Sequence, residues 1–139
     1  MTALRRRATG AAAAGLVLAL GLQACGETAS TSGFSGEKRT VAQAIVNYQT
    51  DVTTREQKKL CQSDLAASVV RRLTAAGGCQ AALKRQLAQV DAPGLTIEAI
   101  SLNGKQALAR VKSTYSGRSA ISTLRLVREG ASWKISALR

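Results

Sequence analysis

The sequence predicts an α+β fold in which N-terminal helices pack on a four-stranded antiparallel meander sheet. Three observations lead to this prediction. Apolar residues recur at helical spacing before Pro93, they alternate with polar residues after it, and short turns separate the strands that the alternation marks. Helices followed by a run of strands are typical of a layered domain with the helices on one face of the sheet.

The first predicted helix begins at a capping box formed by Thr40 and Gln43. Its apolar face carries Val41, Ile45, Tyr48 and Val52. A second capping pair, Thr53 and Glu56, predicts a short helical turn that ends near Cys61.

Two more helices are predicted before the strands. One starts at Ser63 and Asp64 and stops at Gly77-Gly78, and its apolar stripe is Leu65, Val69 and Leu73. The next one carries Leu83, Leu87 and Val90 and stops before Pro93. We expect all three apolar stripes to face the sheet.

Alternation predicts strands over residues 95–102, 106–115, 119–128 and 132–138. Asn103-Gly104 is typical of a type I′ hairpin turn, in which both positions need a positive φ. Strand parity predicts a face toward the helices made by Ala107, Ala109, Val111, Tyr115, Leu124, Leu126, Trp133, Ile135 and Ala137. The opposite face is then positively charged and carries Arg110, Lys112, Arg125 and Lys134.

The chain has 139 residues, which allows one ordinary domain, and a net charge of +12. The predicted basic face is interpreted as a solvated sheet face in an Ala- and Arg-rich chain, a composition common where the genome is rich in G and C. The alternative is contact with anionic lipid head groups or acidic wall polymers. Nucleic acid is not an expected partner, because an exported chain does not meet it and no aromatic residues interleave with the basic ones.

Residues 1–24 read as an export signal, with a basic start at Arg5–Arg7 and an apolar run over residues 11–22. A run of about 12 residues is shorter than the ~20 that a membrane-spanning helix needs. Its end, "LQAC" from Leu22 to Cys25, resembles the lipobox of bacterial lipoproteins, although Gln23 departs from the usual small or β-branched residue.

The lipobox resemblance implies cleavage between Ala24 and Cys25 and a diacylglyceryl group on the Cys25 thiol. It therefore implies a lipid-anchored protein on the extracytoplasmic side of the cell membrane. Residues 25–38, rich in Ser, Thr and Gly, are predicted to be a flexible tether, and residues 39–139 to be the domain. The alternative is an ordinary secretory signal followed by a chance cysteine.

Setting Cys25 aside leaves Cys61 and Cys79, which are predicted to form a disulfide because such bonds persist in exported proteins. A metal or redox pair is the alternative. The spacing does not favour it, since there is no C-x-x-C, no histidine and no third soft ligand. No metal or cofactor is expected.

The element order, the cysteine pair that brackets a helix, and the closing "REGASWKIS" (residues 128–136) resemble small exported lipoproteins of the nuclear transport factor 2 and ketosteroid isomerase fold. The resemblance implies a cone-shaped roll. In enzymes of this fold a carboxylate or histidine in the cone acts as base and tyrosines hold an oxyanion. This chain has no histidine, and no catalytic motif matches residue by residue.

Tyr48, Tyr115 and Trp133 are candidates to line a pocket in the cone, and Asp51 lies one helical turn from Tyr48. The alternative is that the tyrosines are core residues with their hydroxyls at the rim. We therefore predict no catalytic residue and a non-catalytic binding or accessory domain with an envelope protein as a partner. Two alternatives remain: a protein that binds a small apolar ligand or acts as a weak isomerase-like enzyme, and an electrostatic contact module.

Overall fold

A computed structural model of the chain describes residues 28–89 and 94–138. The helical part of these residues consists of α1 (Gly36–Thr53), α2 (Gln57–Lys59), a π-turn (Leu60–Asp64), α3 (Ala67–Ala75) and α4 (Cys79–Leu87). The strands that follow are β1 (Gly94–Asn103), β2 (Gln106–Tyr115), β3 (Arg118–Glu129) and β4 (Ser132–Leu138). The predicted α+β class is confirmed.

The four strands form one sheet in the order β1-β2-β3-β4, and each pair of neighbours is antiparallel. The β2–β3 turn has positive φ at both Ser116 (46°) and Gly117 (75°), which is the type I′ pattern. The β1–β2 turn differs from the prediction. Its loop is Gly104–Lys105, and only Gly104 has a positive φ (57°), the pattern of a type II′ turn.

The core lies between α1 and the inner face of the sheet, where α1 contacts both β1 and β4. Six fully buried side chains fill its centre: Val41, Ile45, Leu60, Val111, Leu124 and Leu126. Each such side chain contributes roughly 1.5–3 kcal/mol of hydrophobic free energy relative to an exposed one. The inner face that strand parity predicts is confirmed along β2 and β3 as far as Val111 and Leu124.

The domain begins earlier in the chain than residue 39. Helix α1 starts at Gly36, and Thr40 lies inside it, where its hydroxyl donates to the Glu37 carbonyl oxygen (2.7 Å) rather than capping the helix. Ala29 is buried in the core cluster, and its backbone N–H donates to Gln49 Oε1 (2.6 Å). Part of the segment predicted as a tether therefore packs against the domain.

The π-turn replaces the helix start predicted at Ser63 and Asp64. Leu65 is extended after the turn and forms a parallel bridge with Ile135, and the next N–H, that of Ala66, donates to the Ile135 carbonyl oxygen (2.9 Å). Helix α3 begins only at Ala67, whose N–H donates to the carboxylate of Glu129 at the end of β3 (3.0 Å). An acceptor distant in sequence thus takes the place of a local cap.

Cys61 and Cys79 form a disulfide with a Cα–Cα distance of 6.2 Å, as the sequence predicts. The bond joins the π-turn to the first residue of α4. It therefore ties α4 to the segment between α2 and α3.

Candidate functional site

The three residues predicted to share a pocket lie in three different places. Tyr48, on α1, lines an apolar cavity beneath α3 and α4. Trp133, on β4, is only 5% exposed and lines a separate polar groove. Tyr115 lies at the end of β2 with 50% of its surface exposed. No single cone pocket brings them together.

The apolar cavity has a volume of about 240 Å³. Its walls come from the end of α1, the π-turn, α3, α4 and β4, and most of its lining side chains are aliphatic. Its polar lining residues are Tyr48, Arg72, Gln86 and Ser136. A volume of this size lies just below the range of typical small-molecule sites.

A pair of buried carboxyl groups lies at the junction of α1 and the π-turn. Asp51 is 8% exposed and Asp64 is 7% exposed. Lys59 approaches the pair from α2, with its Nζ atom 3.7 Å from Asp51 Oδ1. Asp64 Oδ2 has no hydrogen-bond partner among the described residues.

The pKa of Asp64 is raised from its ordinary value of 3.8 to about 7. Burial is the largest cause, followed by the hydrogen bond with Asp51 and the negative charge of that residue, while the positive charges of Lys134 and Lys59 oppose the rise. Burial also raises the pKa of the Tyr48 hydroxyl, with a further contribution from the charge of Asp64. Asp64 therefore gains and loses its proton near neutral pH.

A polar groove runs beside the carboxyl pair. It consists of two adjoining cavities of about 370 and 360 Å³ that share Asn47, Ser63 and Asp64. One wall is the side of α1 that carries Thr40, Gln43, Asn47 and Thr50. The opposite wall comes from the β3–β4 turn and the start of β4, and Lys59 lies at one end. We call these two cavities together the polar groove.

The four basic residues assigned to the outer face of the sheet do not act as one free patch. Arg110 pairs with Glu98 on β1 (2.9 Å), Lys112 is half-buried, and Arg125 is exposed. Lys134 departs from the prediction, because its ammonium group donates to the Ser63 carbonyl oxygen of the π-turn and the residue lines the polar groove. Its position on the edge strand lets a long side chain reach around the edge.

Cys25 and Ala24, the predicted lipidation and cleavage positions, lie outside the described residues. Across residues 28–89 and 94–138, no helix is long and apolar enough to cross a membrane. The same residues contain no group of His, Cys, Asp or Glu arranged to hold a metal ion.

Asp64 is the site residue that sequence reasoning missed. The sequence predicts a helix start at Ser63 and Asp64, where an exposed aspartate is ordinary. Only the π-turn brings it beside Asp51, thirteen positions earlier in the chain. The available signal was the pairing of Tyr48 with Asp51 on one face of α1, which marks the same region of the molecule.

Comparison with solved structures shows the fold. A protein from Silicibacter pomeroyi, described as an NTF-2 like protein of unknown function, aligns with a TM-score of 0.51 and 16% sequence identity, over 71% of this chain and 89% of that chain. No protein-family model and no curated protein sequence matches the chain. At this identity the likeness carries over the fold alone, an NTF-2-like arrangement of helices on an antiparallel sheet.

Proposed function

We propose that this NTF-2-like domain is an exported lipoprotein, held at the outer face of the cell membrane by a lipid on Cys25. There it binds a partner in the cell envelope and does not catalyse a reaction. The proposal joins the lipobox-like residues 22–25 to the packing of the domain that follows them.

The observation that carries the proposal is the arrangement of the three cysteines. Cys61 and Cys79 are bonded to each other, which leaves Cys25 as the remaining thiol of the chain. Cys25 directly follows a short apolar run and occupies the position that lipoproteins modify. Disulfides persist outside the cytosol. The bonded pair and the export signal therefore both support an extracytoplasmic location.

The proposed anchor is strong enough to be permanent. Each methylene buried in the bilayer contributes ~0.8 kcal/mol, and stable anchoring takes two acyl chains, which a diacylglyceryl group supplies. A single chain would bind only reversibly.

Around the apolar cavity, the arrangement of charged groups favours binding over catalysis. Asp51 pairs with Lys59, and neither Asp51 nor Asp64 lines the apolar cavity, where Tyr48 lies. A general base must be within hydrogen-bond reach of its substrate, and in this structure the carboxyl pair and the apolar cavity are separate. The chain also contains no histidine.

The anchor is tested by producing the full chain in a bacterial host and measuring the intact mass and N-terminus of the purified protein. We expect the mature chain to begin at Cys25 and to carry the mass of a diacylglyceryl group. We also expect it to be found in the membrane fraction and to be released by detergent but not by high salt.

Cys25→Ala is the matched control, because it removes the thiol and leaves the apolar run intact. This variant should lose the lipid mass. A native chain with an unmodified N-terminus, or a Cys25→Ala variant that still carries the lipid mass, would contradict the proposal.

A further inference from the structure

The polar groove is not one of the sites that the sequence predicted, although Trp133 and Lys134, predicted for two different sites, both line it. Its α1 wall is built by Thr40, Gln43, Asn47 and Thr50, which follow one another at spacings of three, four and three residues and therefore share one face of the helix. This face is turned away from the core-facing Val41 and Ile45. Four polar side chains thus form a continuous wall.

The two amides on this wall are held in place. Gln43 Nε2 donates to Asn47 Oδ1 over 2.9 Å, which orders both side chains along the groove. Each amide has further donors and acceptors beyond this bond. A ligand with both donors and acceptors can therefore bond to two amides whose positions are already set.

The floor of the groove provides the independent observation that points to a ligand. Asp64 lines both cavities and is 93% buried, and its Oδ2 atom has no hydrogen-bond partner among the described residues. More than 90% of buried polar groups have a partner, and leaving one unsatisfied costs roughly 1–3 kcal/mol. The floor of the groove therefore holds a carboxyl group whose hydrogen-bonding capacity the described residues do not fill.

The charges around the groove decide the class of ligand. Asp51 and Asp64 supply up to two negative charges, and Lys59 and Lys134 supply two positive ones. A strongly anionic polymer would face two carboxyl groups, and a polycation would face two ammonium groups. The balance favours an uncharged molecule.

We propose that the polar groove binds a neutral saccharide of the cell envelope. Sugar hydroxyls both donate and accept, which suits a lining of amides, hydroxyls, carboxyls and ammonium groups. Ala44 and Ala131 add apolar surface for the C–H face of a sugar ring. The cavity volumes lie in the range of small-molecule sites. The cellular source of the saccharide rests on the proposed function, whereas the ligand chemistry rests on the groove.

The experiment uses the mature full-length protein in detergent, with maltotriose and the trimer of N-acetylglucosamine as neutral probes. We expect isothermal titration calorimetry to detect at least one of them with a Kd of about 1 mM or tighter. The double variant Gln43→Ala with Asn47→Ala removes two amides from the wall, and it should weaken that binding by about tenfold or more.

Gln80→Ala is the matched control, because Gln80 is an exposed helical glutamine on α4 outside the groove. It should bind the saccharide as the native protein does, and urea titrations should show that all variants fold. No binding of either probe, equal binding by the double variant, or binding of a polyglucuronate probe in place of the neutral ones would overturn the proposal. The Cys25→Ala chain should keep saccharide binding, so a failed anchor and a failed groove give different results.

Discussion

The buried carboxyl pair predicts that Asp64→Asn stabilises the protein at neutral and mildly alkaline pH. The pKa of Asp64 is raised in the folded state to about 7 from 3.8. Between these values the folded protein holds a proton that the unfolded chain has released. The contribution of this proton to the free energy of unfolding is therefore fully present below about pH 4. It is lost as the pH rises from there through about 7.

The magnitude follows from the same pKa. A one-proton difference changes stability by about 1.4 kcal/mol per pH unit, which sets an upper bound of about 4 kcal/mol for the loss. Two effects make the loss of stability smaller than this bound: the nearby ammonium groups of Lys59 and Lys134, and partial contact with water. We expect a loss of about 1–2 kcal/mol. Asparagine resembles the protonated aspartate, so Asp64→Asn should remove most of the loss.

The assay is urea unfolding of the native protein and the variant at pH 5 and pH 8. We expect Asp64→Asn to exceed the native free energy of unfolding at pH 8 by about 1–2 kcal/mol and to match it more closely at pH 5. Glu56→Gln, which neutralises an exposed carboxylate, is the control and should shift stability by less than about 0.5 kcal/mol. Native stability that stays level or rises from pH 5 to pH 8 would refute the reasoning.

Three further changes test the packing. Cys61→Ser with Cys79→Ser should lower the free energy of unfolding by about 2–4 kcal/mol in urea titrations; an unchanged midpoint would mean that the bond adds no stability. Leu124→Ala empties a fully buried site and should cost about 2–5 kcal/mol, so a loss below about 1 kcal/mol would show that the site collapses. Glu129→Ala removes the acceptor of the Ala67 N–H. It should cost about 1 kcal/mol and speed amide exchange in the first turn of α3, and unaltered exchange would count against this cap.

The strands were predictable because their signals are local. Residues 106–115 and 132–138 have the predicted bounds in the structure, since alternation and a glycine in each turn determine both the inward face and the strand ends. The prediction of the inner face is wrong only at Tyr115. This residue has the correct parity but lies at the end of the strand, where half of its surface is exposed.

The helix starts and the site depended on contacts that no local pattern contains. Thr40 and Gln43 form a capping box by sequence, yet the helix already begins at Gly36. The start of α3 depends on Glu129, which lies 62 residues later in the chain. The contact between Asp51 and Asp64 likewise depends on the π-turn, which buries Asp64. The predicted helix start at Ser63 contains no signal for this contact.

The two edges of the sheet have a consequence for solution behaviour. Along β4, Leu65 and Ala66 engage Ile135 and occupy part of an edge to which another chain could add. Along β1, a bulge between Ile97 and Ala99 breaks the flat row of backbone groups beside the charged Glu98. Since long, flat edges seed strand-to-strand aggregation, the domain should resist fibril growth even at high protein concentration.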